Sequence, residues 1–175
     1  MESAILKLLK TDSSTRIIEE VRKLVRQDSN LFDYIVDLSF NHSYPVSMRA
    51  ARVVQFCCEE NHYLIKPRLA ELLPLAFESK VEGVKRSYIK VISEIIDIND
   101  VPDLGYAFGK CFDCLLDHKE AIAIRVYCME FVYRVSLIEP DLQSELIEVL
   151  NKELLDCSAG FKSRATKIIN KLNRK

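Results

Sequence analysis

The sequence predicts an all-α chain: an α–α solenoid of about five antiparallel helix pairs, with residues 1–175 forming one domain. Three observations predict it. Apolar residues recur at helical spacing and never in the strict alternation of a half-buried strand. Glycine and proline are scarce, four and five among 175 residues, so little interrupts the helices. A pattern also returns along the chain. Val46, Val84, Ile122 and Phe161 lie 38, 38 and 39 positions apart, a period typical of stacked helix pairs. Each opens an apolar stripe with offsets of four, seven, eight and eleven.

Taken in order, Ala4–Leu9 reads as a short first helix. Asp12 or Ser13 is placed to cap the second, whose inner face carries Ile17, Val21, Leu24 and Val25. Asp28, Ser29 and Asn30 break it. Phe32, Ile35, Ser39 and Phe40 mark the third, and Pro45 suits the first turn of the fourth, where a missing N–H costs nothing. The stripes of the second helices read Val46/Ala50/Val53/Val54/Cys57, Val84/Tyr88/Val91/Ile92/Ile95, Ile122/Val126/Met129/Tyr133 and Phe161/Ala165/Ile168/Ile169/Leu172. Glu130 is the one misfit. The first helices repeat as Phe32/Ile35/Phe40, Leu69/Leu72/Phe77, Phe108/Cys111/Leu115/Leu116 and Ile147/Leu150/Leu154/Leu155. Pro67, Pro102 and Pro140 each stand two residues before a leucine, at the start of a helix. The expected pairs are approximately 2–27, 29–60, 66–97, 102–137 and 140–174. No pair hides its apolar face alone, so neighbours must stack.

Leu72-Leu73-Pro74 followed by Val84-Lys85-Arg86, together with Met48-Arg49-Ala50-Ala51, resembles the HEAT repeat family. Ile124-Arg125 and Ser163-Arg164 occupy the corresponding place in later copies. The related armadillo family is similar as well. Only the third pair carries the mid-helix proline that accompanies a kink in that family. The resemblance implies a right-handed α–α superhelix, with second helices lining a concave face that binds a protein or peptide.

A chain this long buries roughly 70% of its unfolded surface. With 49% hydrophobic residues and a formal charge of −1, it is neither a disordered acidic tail nor a globally basic nucleic-acid binder. No apolar run reaches the ~18–20 residues that span a bilayer. The N-terminus lacks the basic start and long apolar centre of a signal peptide, so the cytoplasm is the expected location. Six cysteines in a chain with a full apolar core read as buried thiols in a reducing compartment.

Catalytic patterns are missing. Cys111-Phe-Asp-Cys114 with His118 shares one helix face, but a four-coordinate zinc site needs a further ligand, and Cys111 falls in the core stripe. Cys57-Cys58 reads as packing. His42, His62 and His118 fall at helix ends, no serine has a glycine-flanked elbow, and the four glycines make no phosphate loop. No enzymatic activity, metal or cofactor is expected.

Binding features are more informative. The helix expected from Lys119 to Leu137 carries a second apolar row, Ile124, Cys128, Phe131 and Val135, two positions from its stripe and so about 200° round the helix. Two readings stay open: an apolar docking spot rimmed by Arg52, Arg86, Lys90 and Arg125, or a row buried beneath neighbouring side chains. Basic residues also align, Arg49, Arg125 and Arg164 at one offset and Arg52, Lys90 and Lys167 at another. The last helix is basic (Lys162, Lys171, Arg174, Lys175) and the one before it acidic (Asp141, Glu145, Glu148, Glu153, Asp156). The expected function is a non-catalytic protein- or peptide-binding scaffold. One alternative is a nucleic-acid-binding module similar to the HEAT-like alkylpurine DNA glycosylases; without tryptophan it lacks the aromatic and carboxylate machinery of their sites. Another is a homo-oligomerisation unit that buries the Ile124 row.

Overall fold

The computed structural model describes residues 1–174, the side chain of Asp156 excepted. Lys175, counted above in the basic C-terminal cluster, lies outside the described residues, as does the Asp156 side chain. Ten α-helices and several short turns of 3₁₀ or π-helix account for the regular structure, with no strand among the described residues. The chain divides into two compact units, Met1–Val91 and the part from Ile92 onward.

The first unit contains α1 (Glu2–Thr11), α2 (Thr15–Gln27), α3 (Asn30–Asn41), α4 (Val46–Glu60), α5 (Leu69–Glu78) and α6 (Glu82–Lys90). Helices α3 and α4 pack along each other, as do α5 and α6, while α4 also contacts α2 and α6. The second helices of successive pairs are therefore neighbours, as stacking requires. Ser14, rather than Asp12 or Ser13, caps α2: its Oγ accepts from the Ile17 N–H at 3.4 Å, and Asp12 instead accepts from the Ser14 N–H. Pro45 is the N-cap of α4, after a cis Tyr44–Pro45 bond. Pro74 sits inside α5, which continues past it. The α4 stripe is fully interior, with Ala50 and Val53 at 0% exposure.

Several polar groups in this core are paired, although the Ser47 hydroxyl is not. Tyr88 is buried, and its hydroxyl lies 2.7 Å from Ser39 Oγ. Ser39 donates its only proton to the Val36 carbonyl at 2.6 Å, so Tyr88 is the donor between the two hydroxyls. Burial pushes the Tyr88 phenol above its ordinary range. At the end of α4, Glu60 accepts from Arg22 at 2.6 Å and Arg26 at 2.9 Å, and Arg26 also holds Glu19. Hydrogen bonds from Arg26 and Arg22 hold the Glu60 carboxyl down at about 2.

A five-residue π turn, Val91–Ile95, follows α6. A π turn takes in one residue more than an α turn, and the stripe slips accordingly. Ile96 is buried at 1%, whereas Ile95, the expected stripe residue, is only half-buried.

The second unit contains α7 (Leu104–Leu116), α8 (Ile122–Ile138), α9 (Leu142–Glu153) and α10 (Ala159–Leu172), with α8 packed against α7, α9 and α10. Asp103 and Ser158 cap α7 and α10, accepting from the Tyr106 and Phe161 N–H groups at 2.9 and 3.3 Å. Here the expected register needs correcting. Ile122 is 50% exposed, while Ile124, Cys128 and Phe131 are at 0%, Val132 at 1% and Val135 at 4%. Those five residues carry offsets of zero, four, seven, eight and eleven. They are the true stripe, and the stripes of the second helices start at 46, 84, 124 and 161. Met129 and Tyr133 are buried too, at the border of a wide inner face. Glu130 then lies off the stripe, half-buried and paired with Arg164 of α10, and ceases to be a misfit. The first helices show smaller slips: Ala107/Cys111/Leu115 is the α7 stripe, Leu116 is exposed, and Leu155 is 89% exposed.

The corrected register predicts that Phe131→Ala costs ~3–5 kcal/mol by leaving a cavity, whereas Ile122→Ser stays within about 0.5 kcal/mol; urea denaturation of both variants measures this. The Glu60 carboxyl, depressed below its unfolded value near 4.3, contributes stability that is full above about pH 4.5 and lost as pH falls towards 2. Melting temperatures of Glu60→Gln across that window are expected to fall less with acid than those of the wild type.

Candidate functional site

The residues singled out from the sequence fall into distinct environments. Ile124, Cys128, Phe131 and Val135 are interior to the second unit, so of the two readings left open above, burial beneath neighbouring side chains describes them. Arg125 is no rim residue either. Its side chain is 8% exposed, its Nε donates to the Leu115 carbonyl at 2.9 Å, its Nη2 pairs with Glu153, and its guanidinium lies 4.8 Å from the centre of the Phe161 ring. One side chain thus joins the end of α7 to α9 and α10. Arg134, which nothing in the periodicity marks, donates to the Ser93 and Ile96 carbonyls at 2.7 Å each, filling acceptors freed where the π turn ends.

Arg52, Arg86 and Lys90 belong to the first unit and lie on α4 and α6. Arg52 donates to the Ser13 carbonyl at 3.2 Å, with its guanidinium 5.8 Å from the Phe56 ring. Lys90 is held by Glu59 at 2.8 Å. Burial disfavours the charged Glu59 carboxylate, but hydrogen bonds from Lys90 and Gln55 outweigh it and leave the group below its ordinary range. Arg86 is 46% exposed, with Glu82 3.6 Å away.

A groove runs between α4 and α6. One part, of about 160 Å³, is lined by Met48, Arg52, Gln55, Gly83, Arg86 and Ser87. A wider hollow of about 510 Å³ shares Met48, Gly83 and Arg86 and adds Tyr44 and Lys80. Gly83 sets its floor: a Cβ there would lie 2.3 Å from Met48 Cγ, so the glycine lets the two helices close up. Tyr44 is 67% exposed. Sequence reasoning found the arginines but not Tyr44, Met48 or Gly83, because their meeting depends on which helices pack together.

In the second unit, a hollow of about 510 Å³ between α8 and α10 is lined by Val126, Glu130, Gly160, Arg164, Lys167 and Lys171, among others. Arg164 binds Glu130 at 2.6 Å and Glu94 at 3.3 Å, and Lys171 lies 5.2 Å from the Tyr133 ring.

Among the described residues, the candidate thiols and His118 do not converge on one site. Cys111 is buried, Cys114 half-buried, and His118 exposed with its Nε2 3.3 Å from Glu153. Among the described residues no group of three or more His, Cys, Asp or Glu could hold a metal ion. Burial pushes the Cys57 thiol up to about 12 and raises Cys58 as well, the reverse of what a reactive thiol needs. No helix among the described residues is long and apolar enough to cross a membrane.

Arg125→Ala, which leaves Glu153 without its guanidinium in a site where that carboxylate is 14% exposed, is expected to cost ~3 kcal/mol. Thermal and urea denaturation report the loss.

Comparison with known proteins agrees with the architecture. The profile of the HEAT repeat domain matches residues 5–172, nearly the whole chain. No curated protein and no solved structure matches at a significant level. With its profile match running from the first helix to the last, and its apolar stripe recurring on α4, α6, α8 and α10, the chain belongs to the HEAT repeat domain family.

Proposed function

We propose that the chain is a non-catalytic binding module that takes an acidic segment of a partner protein in the groove between α4 and α6. The observation that carries this reading is the composition of that groove: exposed Tyr44 and Arg86 around Met48, with Arg52 and Lys80 beside them. Tyrosine, arginine and methionine are the residue types enriched where proteins bind one another. Glu82 is the one acid against three bases among the lining residues, so the local charge is positive although the whole chain carries −1. A peptide with carboxylates for the arginines and an apolar side chain against Met48 satisfies both features. The same charge is too sparse for a phosphate backbone, which takes many lysines and arginines along its length.

Selection from a displayed peptide library, followed by fluorescence anisotropy, tests the proposal. Selected peptides are expected to be rich in Asp and Glu with an apolar residue between them, and Arg86→Glu should weaken them about tenfold or more. Tyr44→Ala should weaken them as well. Selected peptides that bind Arg86→Glu as tightly as the wild type would overturn the proposal. So would duplex DNA that binds more tightly than any peptide, with a steep salt dependence.

A further inference from the structure

A different pocket in the first unit, of about 340 Å³, opens among α3, α5 and the turn that joins α5 to α6. Two helices finish at it. The last four carbonyls of an α-helix have no partner within the helix. In α3 the Leu38 carbonyl accepts from the His42 N–H, which leaves those of Ser39, Phe40 and Asn41, three residues that line the pocket. Leu75 and Glu78, from the last turn of α5, line it too. Each helix end carries a partial negative charge.

The side chains sharpen this preference. Arg68 is already committed, to Asp37 at 2.8 Å and Glu71 at 3.0 Å. Glu78 forms no ion pair among the described residues, and Lys80 stands exposed at the rim. Ser47, in the first turn of α4, is 2% exposed and forms part of the wall, and its Oγ is buried with no hydrogen-bond partner. The unpartnered hydroxyl can donate or accept, but the helix carbonyls and Glu78 around it only accept, so the pocket favours a ligand that donates hydrogen bonds. An ammonium group has three donors and no acceptor. Phe40 and Leu75 offer apolar surface for an alkyl stem. A carboxylate or phosphate would meet carbonyl oxygens and Glu78 instead.

We propose that this pocket binds a primary alkylammonium group, with Ser47 Oγ and the carbonyl end of α3 accepting its hydrogen bonds and Glu78 supplying the countercharge. The group arrives on a lysine side chain of a partner or on a free aliphatic amine. The site adjoins the α4–α6 groove, with which it shares Lys80 and Val81, but it takes a cation where the groove takes an acidic segment.

The test is an amide NMR titration of the whole chain with cadaverine and with a Gly-Gly-Lys-Gly-Gly peptide; the acetyl-lysine peptide and valerate serve as controls. Shifts are expected at residues 39–42, 47 and 78–81 with the amines and not with the controls. Ser47→Ala, which deletes an unpartnered hydroxyl and should fold normally, is expected to bind about tenfold more weakly, and Glu78→Gln to weaken by a similar factor. Tighter binding of the lysine peptide assigns the site to a protein partner; tighter binding of cadaverine assigns it to a free amine. The proposal is overturned if neither amine shifts these amides, if a control binds as tightly, or if Ser47→Ala binds like the wild type.

Discussion

The offsets zero, four, seven, eight and eleven on the second helices govern this molecule, because they give each such helix a strip of oily surface that its own partner helix covers only in part. The remainder has to be covered by the next pair. In the first unit α2, α4 and α6 contact one another in succession, and in the second unit α8 meets α10 as well as α7 and α9. A fully buried aliphatic or aromatic side chain contributes on the order of 1.5–3 kcal/mol, so the stacking contact matters as much as the pairing contact. Isolated pairs of this kind have too little interior to fold.

Once those strips are buried, the polar side chains that remain near the interior have structural work. Arg49 donates to the Leu9 carbonyl at 2.9 Å, Arg52 to Ser13, Arg125 to Leu115, and Arg134 to Ser93 and Ile96. In each case a guanidinium reaches a main-chain oxygen of another segment. Much of what looks like a basic recognition stripe in the sequence therefore serves as mortar between helices. Arg86 is the one member of the expected rim that stays well exposed.

The sequence was a good guide to fold and a partial guide to surface. Helix order and the stripes of α4 and α10 could be read directly, because burial of one face leaves a strong periodic trace. A fixed period places the fourth copy two residues off. Ile122 matches the period of 38, while Ile124 matches the burial, and a fixed period favours the wrong one when copies differ in length. That slip created both the apparent misfit at Glu130 and the apparent surplus of apolar residues on α8. Arg125 illustrates a different limit. Its charge suggested a surface role, and only the positions of Leu115, Glu153 and Phe161 reveal why it is buried. Grooves and pockets were the least legible, since Tyr44 with Gly83, or Ser47 with Glu78, meet only through packing.

The π turn at Val91–Ile95 shows how one helix takes in an extra residue. An added residue usually has to be expelled into a loop, or it rotates every side chain after it off the interior. Here the backbone swells locally, Ile96 takes the seat that Ile95 would hold, and the freed carbonyls find Arg134. The turn thus takes in one residue more than an α turn while its Ser93 carbonyl and that of Ile96 keep a donor. A register read at constant spacing puts Ile95 on the buried face, where the swollen turn puts Ile96.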